Sequence, residues 1–181
     1  MGYLFIERCL DLLKSGGKLA IVLPTGDLEN KSLGYVRQYI DSRAKLLWIV
    51  SLPQKTFIPH GTGIKAVILF VEKLDKQELE LEKNKDYELF FSIIENVGYE
   101  GNKNGTPIYV KNERGEFVLD KEGNPRLHED MSFVCNQYEH FLNGIKIEQS
   151  DKFFIKKYSE LKSRWDAEYY APRFSNLRNK L

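Results

Sequence analysis

The hydrophobic pattern of the first part of the chain alternates between one-sided and continuous apolar segments. Between residues 3 and 14, apolar side chains recur at helical spacing, which predicts an amphipathic helix that ends at Gly16 and Gly17. The members of this stripe are Phe5, Ile6, Cys9, Leu10 and Leu13. Residues 18–23 then form a nearly continuous apolar run, which predicts a strand that is covered on both faces.

Two further apolar runs predict two more strands. A second helix, capped by Ser32, precedes a strand at residues 46–51, and residues 64–71 form a third strand. This alternation of helices and strands favours a three-layer α/β arrangement. The 12 residues between the last two strands carry no helix signal. Because a parallel crossover normally contains a helix, we expect these two strands to pair antiparallel.

The pattern changes after residue 73, which divides the chain into three predicted segments. Residues 1–73 form an α/β part and residues 74–150 an appendage, whereas residues 151–181 form a basic, aromatic tail that we expect to be helical. The elements expected in the appendage are a charge-dense, solvated connector at 74–85, a strand at 87–94, a β-hairpin of 108–111 with 116–119, and a helix at 131–142.

Charge is distributed unevenly over these segments. The formal net charge is +1, but residues 1–73 hold 10 Lys/Arg against 6 Asp/Glu, residues 74–150 hold 9 against 16, and residues 151–181 hold 8 against 4. A DNA-binding surface is basic, because phosphate neutralisation supplies much of its affinity. Only the two ends of the chain therefore suit DNA, and the acidic middle predicts a solvated face.

The composition argues against a membrane or secreted protein. Hydrophobic residues make up 42% of the chain and charged residues 29%, as in ordinary globular proteins. No apolar run approaches the roughly 20 residues that span a bilayer, and no secretory signal is present. Cys9 and Cys135 are far apart and predict reduced thiols, so we expect a cytoplasmic location.

Signatures of several other enzyme classes are missing from the sequence. It contains no Gly-x-Ser-x-Gly, no His-Glu-x-x-His, no Cys-x-x-Cys and no phosphate-binding Gly-Lys-Ser/Thr loop. His60 is a lone loop histidine without a paired cysteine or carboxylate, which disfavours a role as ligand or general base. We therefore predict no metal site.

Residues 16–73 carry a family resemblance. The stretches GGKLAIVLPTG, LGYVRQYI and KLLWIVSLPQKTFIPHGTGIKAVILFVEK together resemble the second half of the catalytic domain of adenine-specific (N6) DNA methyltransferases. These relatives are the methyltransferase subunits of type I restriction–modification systems and fused restriction–methylation enzymes. The resemblance implies a Rossmann-like sheet in which residues 18–23, 46–51 and 64–71 are the last three strands. It also implies that the final strand is inserted beside the fifth strand of the family's sheet.

The resemblance also implies chemistry whose motifs this sequence does not contain. Family members carry a cofactor-binding Gly motif and an Asn-Pro-Pro-aromatic motif upstream, and they transfer a methyl group from S-adenosylmethionine to N6 of an extruded adenine. Neither motif occurs in these 181 residues. We therefore expect a fragment that forms the target-base and DNA side of the site, has no catalytic residue of its own, and binds S-adenosylmethionine weakly or not at all.

Phe57 matches the family's aromatic position that packs against the extruded adenine. Extrusion of a base costs a few kcal/mol of stacking, and an aromatic face returns ~1–3 kcal/mol. The alternative interpretation is that Phe57 is a loop aromatic packed on the end of the sheet. The two glycines of Gly61-Thr62-Gly63, which follows Phe57, predict a tight turn. Lys55, Thr62 and Lys65 are candidate contacts to DNA phosphates.

The end of the first strand carries two candidate pocket-lining residues and an open edge. Pro24 and Asp27 follow the strand at its carboxyl end, where open α/β sheets bind ligands, although an ordinary turn accounts for them equally well. Without the family's earlier strands, residues 18–23 become a sheet edge with unpaired backbone groups. Such edges recruit partners, so we expect self-association there or pairing with a strand from elsewhere in the chain.

Residues 162–181 (KSRWDAEYYAPRFSNLRNKL) resemble the opening of a sequence-specificity region, in which an Arg-x-Asp-Ala-Glu-Tyr-Tyr phrase is common. A basic amphipathic helix fits them equally well. The resemblance implies DNA and the specificity and restriction subunits or domains as partners. Two other functions stay open: a non-enzymatic module that docks on methyltransferase or specificity subunits, and a DNA-binding domain whose basic tail gives a steep salt dependence.

Overall fold

Helices and strands alternate along the part of the chain that the computed structural model describes, residues 2–172. The strands are β1 (Lys18–Pro24), β2 (Ala44–Ser51), β3 (Ala66–Lys73), β4 (Glu88–Ile93) and β5 (Phe153–Lys157). The α-helices are α1 (Gly2–Leu12), α2 (Thr25–Glu29), α3 (Gly34–Asp41), α4 (Lys76–Asn84), α5 (Met131–Leu142) and α6 (Ala167–Tyr170). The 3₁₀ helices are Lys31–Leu33, Gln54–His60 and Tyr158–Glu160. Within this range, no helix has the length and apolar character needed to cross a membrane.

The five strands form one mixed sheet in the order β1-β3-β2-β4-β5. β3 lies between β1 and β2 and is antiparallel to both, so that Ile68 faces Val22 on one side and Val50 on the other. This arrangement confirms the predicted antiparallel pairing and the insertion of the third strand beside the first. Among the described residues, β1 pairs with β3 alone, and its other backbone edge is open.

The sheet is larger than the three strands expected from the sequence. β4 pairs parallel with β2, and β5 pairs antiparallel with β4. β5 forms where a basic helix was expected, because Phe153 and Phe154 are buried on opposite faces of the sheet, 3% and 1% exposed. The described part of that tail also contains helix α6, and residues 173–181 lie outside the described range. The sheet thus draws strands from all three predicted segments, and the division at residues 73 and 150 stays a prediction.

The sheet separates two hydrophobic cores. On one face, α1, α3 and α6 cover it, with Ile6, Leu10 and Ile40 among the fully buried residues. The predicted stripe of α1 is narrower than expected, because Phe5 is 62% exposed. On the other face, α5 covers the centre through stacked aromatic rings. Trp48 is the middle of this stack, since its ring lies between those of Phe70 (centroids 4.9 Å apart) and Tyr138 (4.4 Å).

Residues 96–130, termed here the stalk, are joined by isolated antiparallel bridges rather than a continuous ladder. The predicted hairpin is part of it, since Lys111 faces Phe117 in an antiparallel bridge. A third segment completes a triangle of backbone hydrogen bonds: Val118 N donates to Val110 O, Val110 N to Arg126 O, and Arg126 N to Val118 O. Each segment is therefore bonded to both of the others.

The acidic stretch after residue 73, which was expected to be a solvated connector, is mostly helix α4. Asp75 begins it with a capping box, because its carboxylate accepts from Glu78 N (2.9 Å) and the Glu78 carboxylate accepts from Asp75 N (3.1 Å). Leucine, lysine and glutamate are strong helix formers. The dense charge of this stretch therefore belongs to an exposed helix face.

Candidate functional site

All five strands either end or begin at one edge of the sheet, termed here the carboxyl edge. β1, β2 and β4 end there, whereas β3 and β5 run the opposite way and begin there. The β2–β3 loop, residues 52–65, therefore lies at this edge, and the stalk leaves from the end of β4. In open α/β sheets this is the edge at which ligands bind.

The segment after β1 brings a desolvated carboxylate to the carboxyl edge. Residues 25–29 form helix α2 rather than the expected turn, with Pro24 exposed and Asp27 half-buried. Thr25 N donates to Lys65 O (3.0 Å), which ties α2 to the start of β3. Burial raises the pKa of Asp27 above its usual range. The two predicted pocket-lining residues thus differ in burial, since Pro24 is exposed and Asp27 is half-buried.

Phe57 lies in the 3₁₀ helix of the β2–β3 loop and is half-buried. Its side chain packs against the second core. The loop turns back directly after it, because Gly61 adopts a left-handed conformation (φ 87°) and Thr62 N donates to Phe57 O (3.2 Å). The aromatic ring is therefore held against the end of the sheet, and its role as a base-stacking residue stays a prediction.

The three predicted DNA contacts differ in how free their side chains are. Lys55 is half-buried, and Thr62 Oγ1 accepts a hydrogen bond from Ile64 N (3.3 Å). Lys65 is exposed, and its ammonium donates to the Glu168 carboxylate at 2.5 Å. The structure thus brings Lys65 to the carboxyl edge with an ion-pair partner that the sequence did not predict.

Glu168 reaches the same edge from α6 and was not predicted as a site residue. Its Oε1 accepts from Lys65 Nζ and from the hydroxyl of Ser51, which is 1% exposed. Burial opposes ionisation, but these two hydrogen bonds lower the pKa of Glu168 below its usual range. The available sequence signal was the Arg-x-Asp-Ala-Glu-Tyr-Tyr phrase in which Glu168 stands.

Asp130 closes the base of the stalk and was also missed. Its carboxylate accepts from Glu95 N (3.0 Å), Asn96 N (2.8 Å) and Lys152 Nζ (2.7 Å). Although burial opposes ionisation, these bonds lower the pKa of Asp130 to about 2. Because Asp130 N also donates to Asn96 O (3.0 Å), the chain entering the stalk is bonded to the chain leaving it. The available signal was an aspartate directly before a helical pattern.

The stalk also touches the β2–β3 loop. Tyr99 Oη donates to Thr56 O at 2.6 Å. Gly101 lies so close that an added Cβ would stand 2.7 Å from the Cβ of Lys55. The loop that carries Phe57 is therefore supported by the stalk on one side and reached by Glu168 at its two ends.

Three buried side-chain oxygens among residues 2–172 have no hydrogen-bonding partner, and all three belong to the carboxyl edge: Thr25 Oγ1, Asp27 Oδ2 and Glu168 Oε2. A buried polar group left unpaired costs roughly 1–3 kcal/mol, and native proteins keep few of them. Their concentration marks this edge as the place where a polar ligand, ordered water or further polypeptide supplies donors.

A cavity of about 700 Å³ lies elsewhere, between α3 and residues 158–165. Two of its charged side chains are engaged, because Arg37 donates to the Asp27 and Asn30 carbonyls and Asp41 accepts from Lys83 and the Tyr158 hydroxyl. None of its lining residues ends a strand, so this cavity does not fit a site for S-adenosylmethionine. In the described range, no group of three His, Cys, Asp or Glu side chains could hold a metal ion.

The basic tail offers less free charge than its composition suggests. Three of the five Lys/Arg residues between 152 and 172 are in ion pairs: Lys152 with Asp130, Lys156 with Glu160, and Arg164 with Asp166 and Glu29. Ion pairing competes with phosphate neutralisation, which is the main source of non-specific DNA affinity. These contacts weaken the interpretation of the tail as a DNA-binding element by itself.

The comparison with protein families decides the class of this protein. The family model described as N-6 DNA Methylase matches residues 1–117, well over half of the chain. The chain belongs to the N-6 DNA methylase family. Among curated protein sequences, none matches this chain.

Two solved structures of type I restriction–modification proteins share the fold of this N-6 DNA methylase chain. One is a modification subunit of a putative type I restriction enzyme from Vibrio vulnificus YJ016, with a TM-score of 0.50 and 19% identity over 87% of this chain and 28% of that one. The other comes from a structural study of complex assembly and conformational transition of the type I R-M system, with a TM-score of 0.54 and 16% identity over 99% of this chain and 37% of that one. Identities this low show the fold alone. The chain spans 28% and 37% of the length of these two proteins.

These matches confirm the family and the α/β fold that the resemblance implied. Neither comparison tests the roles of the individual site residues. Those that remain predictions are Phe57, Lys55, Thr62, Lys65, Pro24 and Asp27.

Proposed function

We propose that this chain forms the target-base and DNA-facing side of a site-specific DNA adenine-N6 methyltransferase in a cytoplasmic restriction–modification system. The observation that carries the proposal is the fixed β2–β3 loop, which presents Phe57 at the carboxyl edge, where three buried oxygens are also left unpaired. S-adenosylmethionine and the Asn-Pro-Pro-aromatic residues belong to the remaining part of the enzyme. The chain alone then transfers no methyl group, and the specificity and restriction subunits or domains are its partners.

The placement of Phe57 suits a ring that receives an extruded adenine. Its half-buried side chain packs on the second core, so its conformation is already restricted before a base arrives. Binding to a preorganised side chain avoids the entropy cost of ordering it. Stacking on such a ring supplies ~1–3 kcal/mol, which offsets part of the cost of extrusion.

Lys65 is the cation best placed to meet DNA at this edge. Its side chain is 42% exposed, and its partner Glu168 is 24% exposed. Partly exposed ion pairs contribute at most about 1 kcal/mol, so a phosphate can compete for the ammonium. We expect Lys65 to contribute to DNA affinity without regard to sequence, as phosphate contacts do.

The test compares binding to a duplex that contains one mismatched adenine with binding to the fully paired duplex, by fluorescence anisotropy. The wild-type chain should prefer the mismatch, because a mismatched base costs less to extrude. Phe57→Ala should weaken mismatch binding by about 5- to 150-fold, which corresponds to ~1–3 kcal/mol, and leave paired binding nearly unchanged. Phe117→Ala, at an exposed stalk aromatic, is the control. A mismatch preference that survives Phe57→Ala contradicts the proposal.

A second candidate function, an interaction module, is favoured by the open edge of β1. Val22 is 52% exposed on β1, and three apolar side chains of α1 are also exposed: Leu4, Phe5 and Leu12. An open strand edge with apolar neighbours recruits another strand, either from the rest of a methyltransferase domain or from a second copy. Sedimentation over a range of concentrations tests the second form, since a wild-type chain that stays monomeric throughout excludes self-association.

A further inference from the structure

The two ends of the β2–β3 loop, which are joined by the hydrogen bond from Leu52 N to Ala66 O (3.0 Å), share a further partner that lies far away in the chain. The loop begins after Ser51 and ends at Lys65, and both side chains donate to the same oxygen of Glu168. Glu168 is separated from them by 117 and 103 residues. One carboxylate therefore holds together the two points at which the loop leaves and re-enters the sheet.

The segment that carries Glu168 is itself seated in the first core. Trp165, Ala167, Tyr170 and Ala171 are buried there, between 0% and 7% exposed. Trp165 N donates to Leu28 O (2.9 Å), and Arg164 forms a two-point ion pair with Asp166. Because the backbone of residues 164–171 is fixed by these contacts, Glu168 is presented to the loop from a rigid base.

The carboxylate of Glu168 is ionised but only partly satisfied. The hydrogen bonds from Lys65 and Ser51 lower its pKa, yet both reach Oε1, and Oε2 is buried without a partner. The side chains of Lys65 and Glu168 are 42% and 24% exposed, and a partly exposed ion pair contributes at most about 1 kcal/mol, so stability alone gives little reason for a carboxylate here. A function that depends on where Ser51 and Lys65 are held does account for it.

We propose that residues 164–171 act as a clip on the β2–β3 loop, with Glu168 as the positioning residue that sets the place of Phe57. When the clip is seated, the loop is closed at both ends. When it is displaced, Ser51 and Lys65 lose their common partner and the loop loosens. The consequence for base binding rests on the proposed function of Phe57, whereas the coupling itself does not.

The coupling is tested by hydrogen exchange of the full chain, read by mass spectrometry on peptides that cover residues 52–65. Glu168→Gln keeps the size of the side chain and removes its charge. It should raise exchange in these peptides about fivefold or more, equivalent to about 1 kcal/mol of local opening free energy. Lys65→Met should have the same effect, and the double variant should add little, because both changes break one interaction. Glu160→Gln removes a surface carboxylate paired with Lys156 and should leave the loop unchanged.

Two results would overturn the clip. One is unchanged loop exchange in both single variants, and the other is an equal rise in the peptides of β3 and β4, which is the signature of general destabilisation. A DNA measurement separates positioning from simple structural support. Glu168→Gln should reduce the ratio of mismatch affinity to paired affinity, whereas the freed Lys65 should strengthen binding to both duplexes alike. If wild type shows no mismatch preference, the proposed function fails, and the exchange result still decides the coupling.

Discussion

Replacing Asp130 with asparagine should destabilise the chain in a pH-dependent way. The carboxylate is 11% exposed and accepts two backbone N–H groups and the Lys152 ammonium. Asparagine keeps one acceptor oxygen, but it leaves Lys152 without a negative partner. The change therefore tests how much the ionised Asp130 contributes to holding the base of the stalk.

The magnitude follows from the pKa of Asp130, about 2 against an ordinary value of 3.8. That difference corresponds to roughly 2 kcal/mol of folding stability at neutral pH, since one pKa unit is about 1.4 kcal/mol. For a chain of this length, the loss should lower the melting temperature by roughly 4–8 °C. Because the folded-state pKa is depressed, the contribution is present above about pH 4 and is lost as the pH falls toward 2.

Urea unfolding of wild type and Asp130→Asn at pH 7 and pH 2.5 measures this contribution. At pH 2.5 the difference in unfolding free energy should shrink to about a third of its value at pH 7. Glu139→Gln, an exposed carboxylate on the adjacent α5, is the control and should change stability by less than about 0.5 kcal/mol. A difference that is the same at both pH values, or a control that loses as much, would refute the electrostatic account.

Three further substitutions test other parts of the fold. Gly101→Ala should cost about 1–3 kcal/mol in thermal unfolding, because the new Cβ would meet the Cβ of Lys55 at 2.7 Å; a neutral result would show that the stalk can move away. Trp48→Phe should lower the free energy of unfolding by about 1–3 kcal/mol, because it leaves the buried Ser92 hydroxyl without the indole N–H (2.9 Å). Urea unfolding measures this loss, and an unchanged midpoint would contradict it. Val22→Lys should abolish any concentration-dependent sedimentation of the wild-type chain, and persistence of association would place the contact elsewhere.

Local pattern was sufficient to locate β1 and β3, although β1 was wrongly expected to be covered on both faces: Ile21 and Leu23 are buried, whereas Val22 is exposed. The apolar runs at 18–23 and 64–71 correspond to β1 (Lys18–Pro24) and β3 (Ala66–Lys73). A continuous apolar run indicates a strand without knowledge of its partners, but whether both faces are covered depends on the elements that pack on the sheet, and for β1 one face stays exposed. The absence of a helix signal between the second and third strands likewise predicted their antiparallel pairing correctly.

Elements whose order depends on distant partners could not be predicted in the same way. β5 has five residues with two adjacent phenylalanines, too short a pattern to separate a strand from a helix. The third segment of the stalk pairs through single bridges rather than a continuous ladder, so it carries no strand period. In both cases the tertiary neighbours, not the local residues, decide the conformation.

The sequence identified the family through the resemblance of residues 16–73, which also implied the inserted strand and the role of Phe57, and the missing helix signal independently predicted the antiparallel pairing. Only the folded chain shows that Glu168 joins the two ends of that loop and that Asp130 closes the stalk. Their partners lie 103 and 117 residues away for Glu168, and 34 and 35 residues away for two of those of Asp130. A charged residue gives no sign of a distant partner in its local sequence, since the hydrogen bond exists only after the sheet has brought the two together.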